Sequence, residues 1–267
     1  MTTSTDQHVT NTESSHETAT TAEHTTETHA GPHISIKPDI IAHVGSFPVT
    51  NSLLLSVFVF AIFAAMTARY NAELKKPKKS DFFYVIHGFV RGIHSFFESA
   101  LGSRTDYFFP LVGAFFFFIL LNNWSGLLPG IGSVLYHGVP LFRANTADLN
   151  TTIALAIISV SYIQYVGVKV LGVKSHMGKF INFASPIAFF VGILEIVSEF
   201  SRILSFAFRL FGNIFAGEVL LTVIAFLIPY GASFPFLLLE TFVGFIQAVV
   251  FAMLSAVLFR MAVSEHH

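Results

Sequence analysis

Five polar side chains share one face of a long apolar stretch. Glu195, Arg202, Ser205, Arg209 and Asn213 fall between Pro186 and Pro229, and at about 100° per residue each lies within ~40° of Arg209 on a helix. Arg209 is the costliest member, since a guanidinium near the middle of a bilayer is unfavourable by ~3 to more than 10 kcal/mol unless a charged partner or a wet cavity meets it. It also stays protonated under physiological conditions, its pKa lying above ~12. It can therefore hold a positive charge in place but cannot pass a proton on. Glu218, nine residues beyond Arg209, points to the opposite side of the helix, and Glu199 lies close to Glu195 at the other end. On the following apolar stretch Glu240, Gly244, Gln247 and Ser255 share a face, as the helical period requires. Carboxylates and amides at both ends of a buried cation, on different faces, describe two ion half-paths that approach it from opposite sides without joining. Internal pairing that merely holds helices together is the plainer alternative.

The elements that must position these groups are membrane helices. Hydrophobic residues make up 53% of the 267 and charged ones 12%, with 32 Phe and a mean hydropathy of +0.67, a balance that excludes an ordinary soluble domain. The apolar runs predict spans at 51–68, 107–127 and 149–165, then two long helices at 186–228 and 234–263. Between the first two spans, 81–100 carries Phe82, Phe83, Ile86, Phe89, Ile93 and Phe97 at helical spacing, with His87, Arg91, His94 and Glu98 between them. That pattern predicts an amphipathic helix at the membrane interface, not a span. The fold class is thus all-α and integral to the membrane, with five membrane helices plus one interfacial helix. A helix over 186–228 would measure ~65 Å against a hydrocarbon core of ~30 Å. It must be broken or strongly tilted, and with the last helix it forms a long hairpin laid against something.

Position resolves the net charge of −1. Of the 15 Lys and Arg, eleven (69, 75, 76, 78, 79, 91, 104, 169, 174, 179 and 260) fall on one side of the predicted spans, two (37 and 143) on the other, and two (202 and 209) within the long helix. The positive-inside rule then places the basic loops and the C-terminus in the cytoplasm and the N-terminus outside. Residues 1–32, rich in Thr, Glu and His and free of Lys and Arg, have the composition of a disordered tail. Their His spacing fits no compact metal site. Residues 33–50 are expected at the membrane surface. Asn122 and Asn123 stand at membrane depth, where they fit either helix packing or the lining of a wet vestibule. Asp148 is placed to cap the helix that follows it. The absence of Cys excludes thiolate metal and redox chemistry, and no phosphate-binding Gly-rich loop is present.

Taken together, RLFGNIFAGE at 209–218, LNNWSGLLPG at 121–130, NTADLN at 145–150 and GFIQAVVFAMLSAV at 244–257 resemble the a subunit (subunit 6) of the F-type rotary ATP synthase, over about 40–263. The resemblance implies that Arg209 faces a rotating ring of c subunits, that Asn213, Glu218, Glu240 and Gln247 belong to the outer half-path, and that Glu195 belongs to the inner one, with Glu199 and Ser205 beside it. It implies as partners the c-ring, b-type peripheral-stalk subunits, the rest of the complex and the lipid of a bacterial plasma membrane, with no nucleic acid, no cofactor, no metal and no ATP site in this chain. Glu240 departs from the pattern of members that carry His there. A secondary ion-coupled transporter is the alternative, although the chain has no internal repeat and no paired Gly/Pro-broken helices.

Overall fold

The computed structural model describes residues 35, 37–128, 130–131, 134–136, 138–180, 185–228, 231 and 233–264. The tail at 1–32, and Tyr230 of the expected turn between the last two helices, lie outside the described residues. Five helical stretches are long and apolar enough to cross a membrane, and the chain is an all-α integral membrane protein. In chain order the long helices are α1 (Asn51–Leu74), α2 (Asp81–Leu101), α3 (Thr105–Gly126), α4 (Leu149–Leu171), the short α5 (Val173–Phe180), α6 (Pro186–Leu227) and α7 (Ser233–Ser264).

Helix starts follow local chemistry. The side chains of Thr50, Ser80, Asp148 and Ser185 accept hydrogen bonds from the backbone N–H groups of Leu53, Phe83, Asn150 and Ala188, satisfying donors that the first turn leaves unpaired. Pro186 occupies the first turn of α6, where its missing N–H costs nothing. Two boundaries run past the hydropathy-based expectation. Helix α1 continues to Leu74 instead of 68, and α4 to Leu171 instead of 165, because a helix does not stop where its side chains become polar. The stretch expected at 186–228 is a single unbroken helix of 42 residues, Pro186–Leu227. Two small hairpins were not foreseen. β1 (Ile40–Val44) pairs antiparallel with β2 (Phe47–Thr50), and β3 (Leu135–Tyr136) with β4 (Val139–Pro140). The first turns at Gly45, whose φ of +64° suits a residue without a Cβ.

Contacts between helices define two ends. At one, Ser52 of α1 donates to Asp148 before α4, and Asn123 near the end of α3 donates to the Gly244 carbonyl of α7. At the other, which carries Lys75–Lys79, Lys169 and Arg260, Lys169 donates to the Tyr107 hydroxyl and Arg260 to the Ala100 carbonyl. Helix α2 reaches across this basic end from Tyr70 of α1, which stacks on Phe83, to Arg260 of α7. Its Phe97 and Leu101 are buried while Tyr84, His87, Arg91 and Glu98 stay exposed.

The core lies chiefly between α3 and α7. Gly244, Ala248, Ala252 and Ala256 recur every fourth residue on α7 and are all buried, so backbones approach closely, as small residues permit in membrane bundles. A Cβ on Gly244 would already stand 3.1 Å from that of Asn123. Phe115 and Phe206 meet Phe251, with ring centroids 5.4 and 5.2 Å apart, and Phe108 stacks on Phe259 at 5.6 Å. These aromatic pairs add to the burial of their apolar area. By contrast α6 is the least buried of the five candidate spans. Its Phe206, Ala207, Leu210 and Ile214 face the core, whereas Ser201, Ser205, Phe208, Arg209, Gly212, Asn213 and Ala216 face outward.

Candidate functional site

Arg209 projects from the exposed face of α6. It donates to Ser205 Oγ at 3.1 Å and lies 6.0 Å from the Phe206 ring centroid. Among the described residues it forms no ion pair with a carboxylate. One turn on, Asn213 Nδ2 donates to Gln247 Oε1 of α7 at 2.7 Å, so two residues 34 apart in the chain join the helices beside the guanidinium. The sequence-predicted stripe divides here. Ser205, Arg209 and Asn213 remain outward, while Arg202 turns to Glu199, its Nη1 lying 2.6 Å from Oε1.

Toward the hairpin end lies a large cavity of about 910 Å³, whose lining includes Asp39, Asn51, Asn123, Arg143, Glu218, Thr222 and Glu240. Glu218 is held there by Arg143, whose Nε lies 3.0 and 3.1 Å from its two carboxylate oxygens. Arg143 is itself only 8% exposed and donates a further bond to the Lys37 carbonyl. A buried guanidinium of this kind is retained only with a fixed anionic partner. Glu240 approaches the same cavity from α7 through a gap at Gly217, where an added Cβ would sit 1.9 Å from the carboxyl group. Its Oε1 is buried and has no hydrogen-bond partner among the described residues.

Asn123 both packs and lines. It donates to Gly244, accepts from Thr146 Oγ1 and borders the large cavity. Asn122 turns back to the Phe118 carbonyl of its own helix. Asp148 caps α4 and receives Ser52 Oγ; it does not border the cavity.

A second, smaller cavity of about 70 Å³ opens toward the basic end, between α4, α5, α6 and α7. Its lining includes Gln164, Gly167, His176, Glu195, Glu199 and Arg202, and it has room for a few water molecules. Ser205 is not on it but on the outer face with Arg209. The two cavities have no lining residue in common. Along α6 they occupy the stretches up to Arg202 and from Ile214 onward, and along α7 those from Leu258 onward and up to Glu240. Arg209, Asn213 and Gln247 stand between. Sequence reasoning missed Arg143 as the partner of Glu218, Gly217 as the seat of Glu240, and His176. The first two involve residues far apart in the chain, so no local spacing signals them.

Two separate cavities at opposite ends of a helical bundle, with an outward-facing guanidinium on the stretch of α6 between them, belong to a multi-pass membrane protein. Comparison with known proteins gives the family. Residues 50–260 match the ATP synthase A chain family. The chain is also 35% identical over 199 residues to the ATP synthase subunit a of Syntrophobacter fumaroxidans (strain DSM 10017 / MPOB), a match covering 73% of this chain and 76% of that protein. The chain belongs to the ATP synthase A chain family.

Proposed function

We propose that this chain is the proton-channel stator subunit of an F-type ATP synthase, forming two proton half-paths beside a rotating ring of c subunits. The observation that carries the reading is the pair of separate cavities flanking Arg209. A proton enters the large cavity, passes Glu218 and Glu240 and the Asn213–Gln247 pair, and neutralises a ring carboxylate, which then rotates into lipid. After nearly a full turn that carboxylate meets the second path and releases its proton past Glu195 and Glu199. Arg209 stands between the two. An opposite charge within ~4–6 Å lowers an acid's pKa by about one to three units, so the guanidinium favours the ionised ring carboxylate and bars a direct passage of protons. Ser205 orients it. Asn123 lines the vestibule, while Asn122 and Asp148 serve the packing and capping of the helices around it.

The outward face of α6 suits such a partner, since Ser201, Ser205, Gly212 and Ala216 leave room beside Arg209 for another helix to come close. An unbroken helix of 42 residues is ~63 Å long at 1.5 Å per residue, twice the ~30 Å hydrocarbon core, so α6 and α7 lie strongly tilted as a hairpin against the ring. The basic end faces the cytoplasm of a bacterial cell and the N-terminus lies outside, as the bias of cations requires. The b-type stalk subunits and the remainder of the complex hold the chain still. A secondary ion-coupled transporter would bind its cargo at broken helices near the midplane, and α6 and α7 run unbroken through theirs.

Arg209→Ala tests the reading. Coupled ATP synthesis should vanish in membranes that still contain the assembled complex, while passive proton leak through the membrane sector persists or rises. Arg209→Lys should rescue poorly, because an ammonium is a compact, strongly hydrated charge whose pKa falls on burial. Normal ATP synthesis in Arg209→Ala membranes with an intact ring would overturn it.

A further inference from the structure

The basic-end cavity contains one titratable side chain that the reading above does not use. His176 of α5 is only 8% exposed, and its Nε2 lies 2.7 Å from Gln164 Oε1 on α4. Its ring rests on Gly167, where a Cβ would stand 2.6 Å from Cε1 and 2.8 Å from Nδ1. The imidazole is therefore held in one place by an amide along one edge and by a bare backbone beneath it. Across the cavity α6 presents Glu195, Glu199 and Arg202, whereas α7 contributes Leu258, Met261 and Ala262 and no charge. Arg202 pairs with Glu199, and Glu195 is the further acid on that wall of the cavity. The exposed Lys174 and Met177 lie on the same short helix, so the ring is close to solvent at the basic end.

We propose that His176 is a further proton-carrying group of the basic-end half-path, exchanging protons with Glu195 through cavity water. With Gln164 Oε1 accepting from Nε2–H, the neutral ring takes the incoming proton at Nδ1. The O–H bond of a protonated Glu195 breaks as an N–H bond forms, by way of water, and the N–H bond breaks again when the proton passes to water at the basic end. Histidine suits this task because its ordinary pKa, ~6.5, lets it change charge near physiological pH. The inference rests on the two-path reading and deepens its inner half.

The test uses inside-out membrane vesicles containing the assembled complex, with the initial rate of ATP-driven proton pumping measured across a pH series and normalised to the amount of complex. His176→Asn should slow pumping by about an order of magnitude and flatten the pH profile, less than the hundredfold or more of a lone general base because Glu195 and Glu199 remain. Gln164→Glu keeps the side-chain size and places a carboxylate against Nε2, so the midpoint of the profile should move up by about one pH unit. The Gln164→Glu result decides alone if His176→Asn does not assemble. Profiles that superimpose on the wild type in both variants, or a uniform slowing with an unmoved midpoint, would reduce His176 to a packing residue. That failure is distinct from failure of the two-path reading, which requires Arg209→Ala to keep coupling.

Discussion

Gly217→Ala is the smallest change that should disable the large half-path, because it fills the gap through which Glu240 reaches the cavity. The new Cβ would lie 1.9 Å from the Glu240 carboxyl group, and an ordinary contact begins at 3.4 Å, so the carboxyl must retreat by 3.4 − 1.9 = 1.5 Å. It sits at the far end of a flexible side chain, and the backbones need not part, so the complex should still assemble. Crowding of this order typically costs about 1–3 kcal/mol. If that cost falls on the proton-loading step, flux drops roughly fivefold to 150-fold at 1.36 kcal/mol per tenfold. The assay is passive proton conduction through the membrane sector in vesicles, normalised to assembled complex. Glu240→Asp withdraws the acid by one methylene, about one C–C bond of ~1.5 Å, which matches the required retreat. The double variant Gly217→Ala, Glu240→Asp should therefore conduct better than Gly217→Ala alone, a coupling that a double-mutant cycle measures directly. Wild-type conduction in Gly217→Ala, or purely additive losses in the double variant, would refute the account of Gly217 as the seat of Glu240.

Arg143→Gln should slow passive conduction by removing the clamp on Glu218, whereas Lys37→Gln should leave it unchanged, since Arg143 uses only the Lys37 backbone carbonyl; equal conduction in both variants would count against the clamp. Single Cys residues at Pro77 and Lys174 should react with impermeant thiol reagents from the cytoplasm, and one at Gly138 from outside. Reversed labelling of all three would invert the two half-paths.

Much of this architecture was legible in the sequence because a membrane allows few solutions. Apolar runs of spanning length mark helices whatever their packing, and Arg209 is conspicuous because a charge at that depth needs a reason. The period of the helix also separated Glu218 from Arg209. What could not be read is where an isolated polar residue goes once the chain folds. Arg143 looked like an ordinary loop cation, yet it is buried against an acid 75 residues away. His176 fell in a segment read as basic; the signal that could have found it is the short amphipathic helix VKSHMGKF, with its His on one side and Lys174 on the other. Residues 40–50 carry β-branched and apolar side chains on both sides of Gly45-Ser46, a hairpin signal that was eclipsed by their place beside a membrane span.

The barrier between the half-paths follows from which faces of α6 and α7 meet. Between the two cavities the inward groups of α6 are Phe206, Ala207 and Leu210, and those of α7 are Ala248, Phe251 and Ala252, all buried. The buried polar pair nearby, Ser159 with Ser255 at 2.9 Å, joins α4 to α7 and borders neither cavity. A proton moving straight through the protein would have to cross this apolar seam, where a charge finds no partner and is strongly disfavoured. On the proposed reading the remaining route runs past the buried Gln247 and the exposed Asn213 to the outward face, where Arg209 holds a permanent positive charge. If the half-paths are as proposed, packing closes the inner route and a guanidinium guards the outer one. Enlarging the seam should therefore raise leak even with Arg209 intact, while removing Arg209 should raise it with the seam intact.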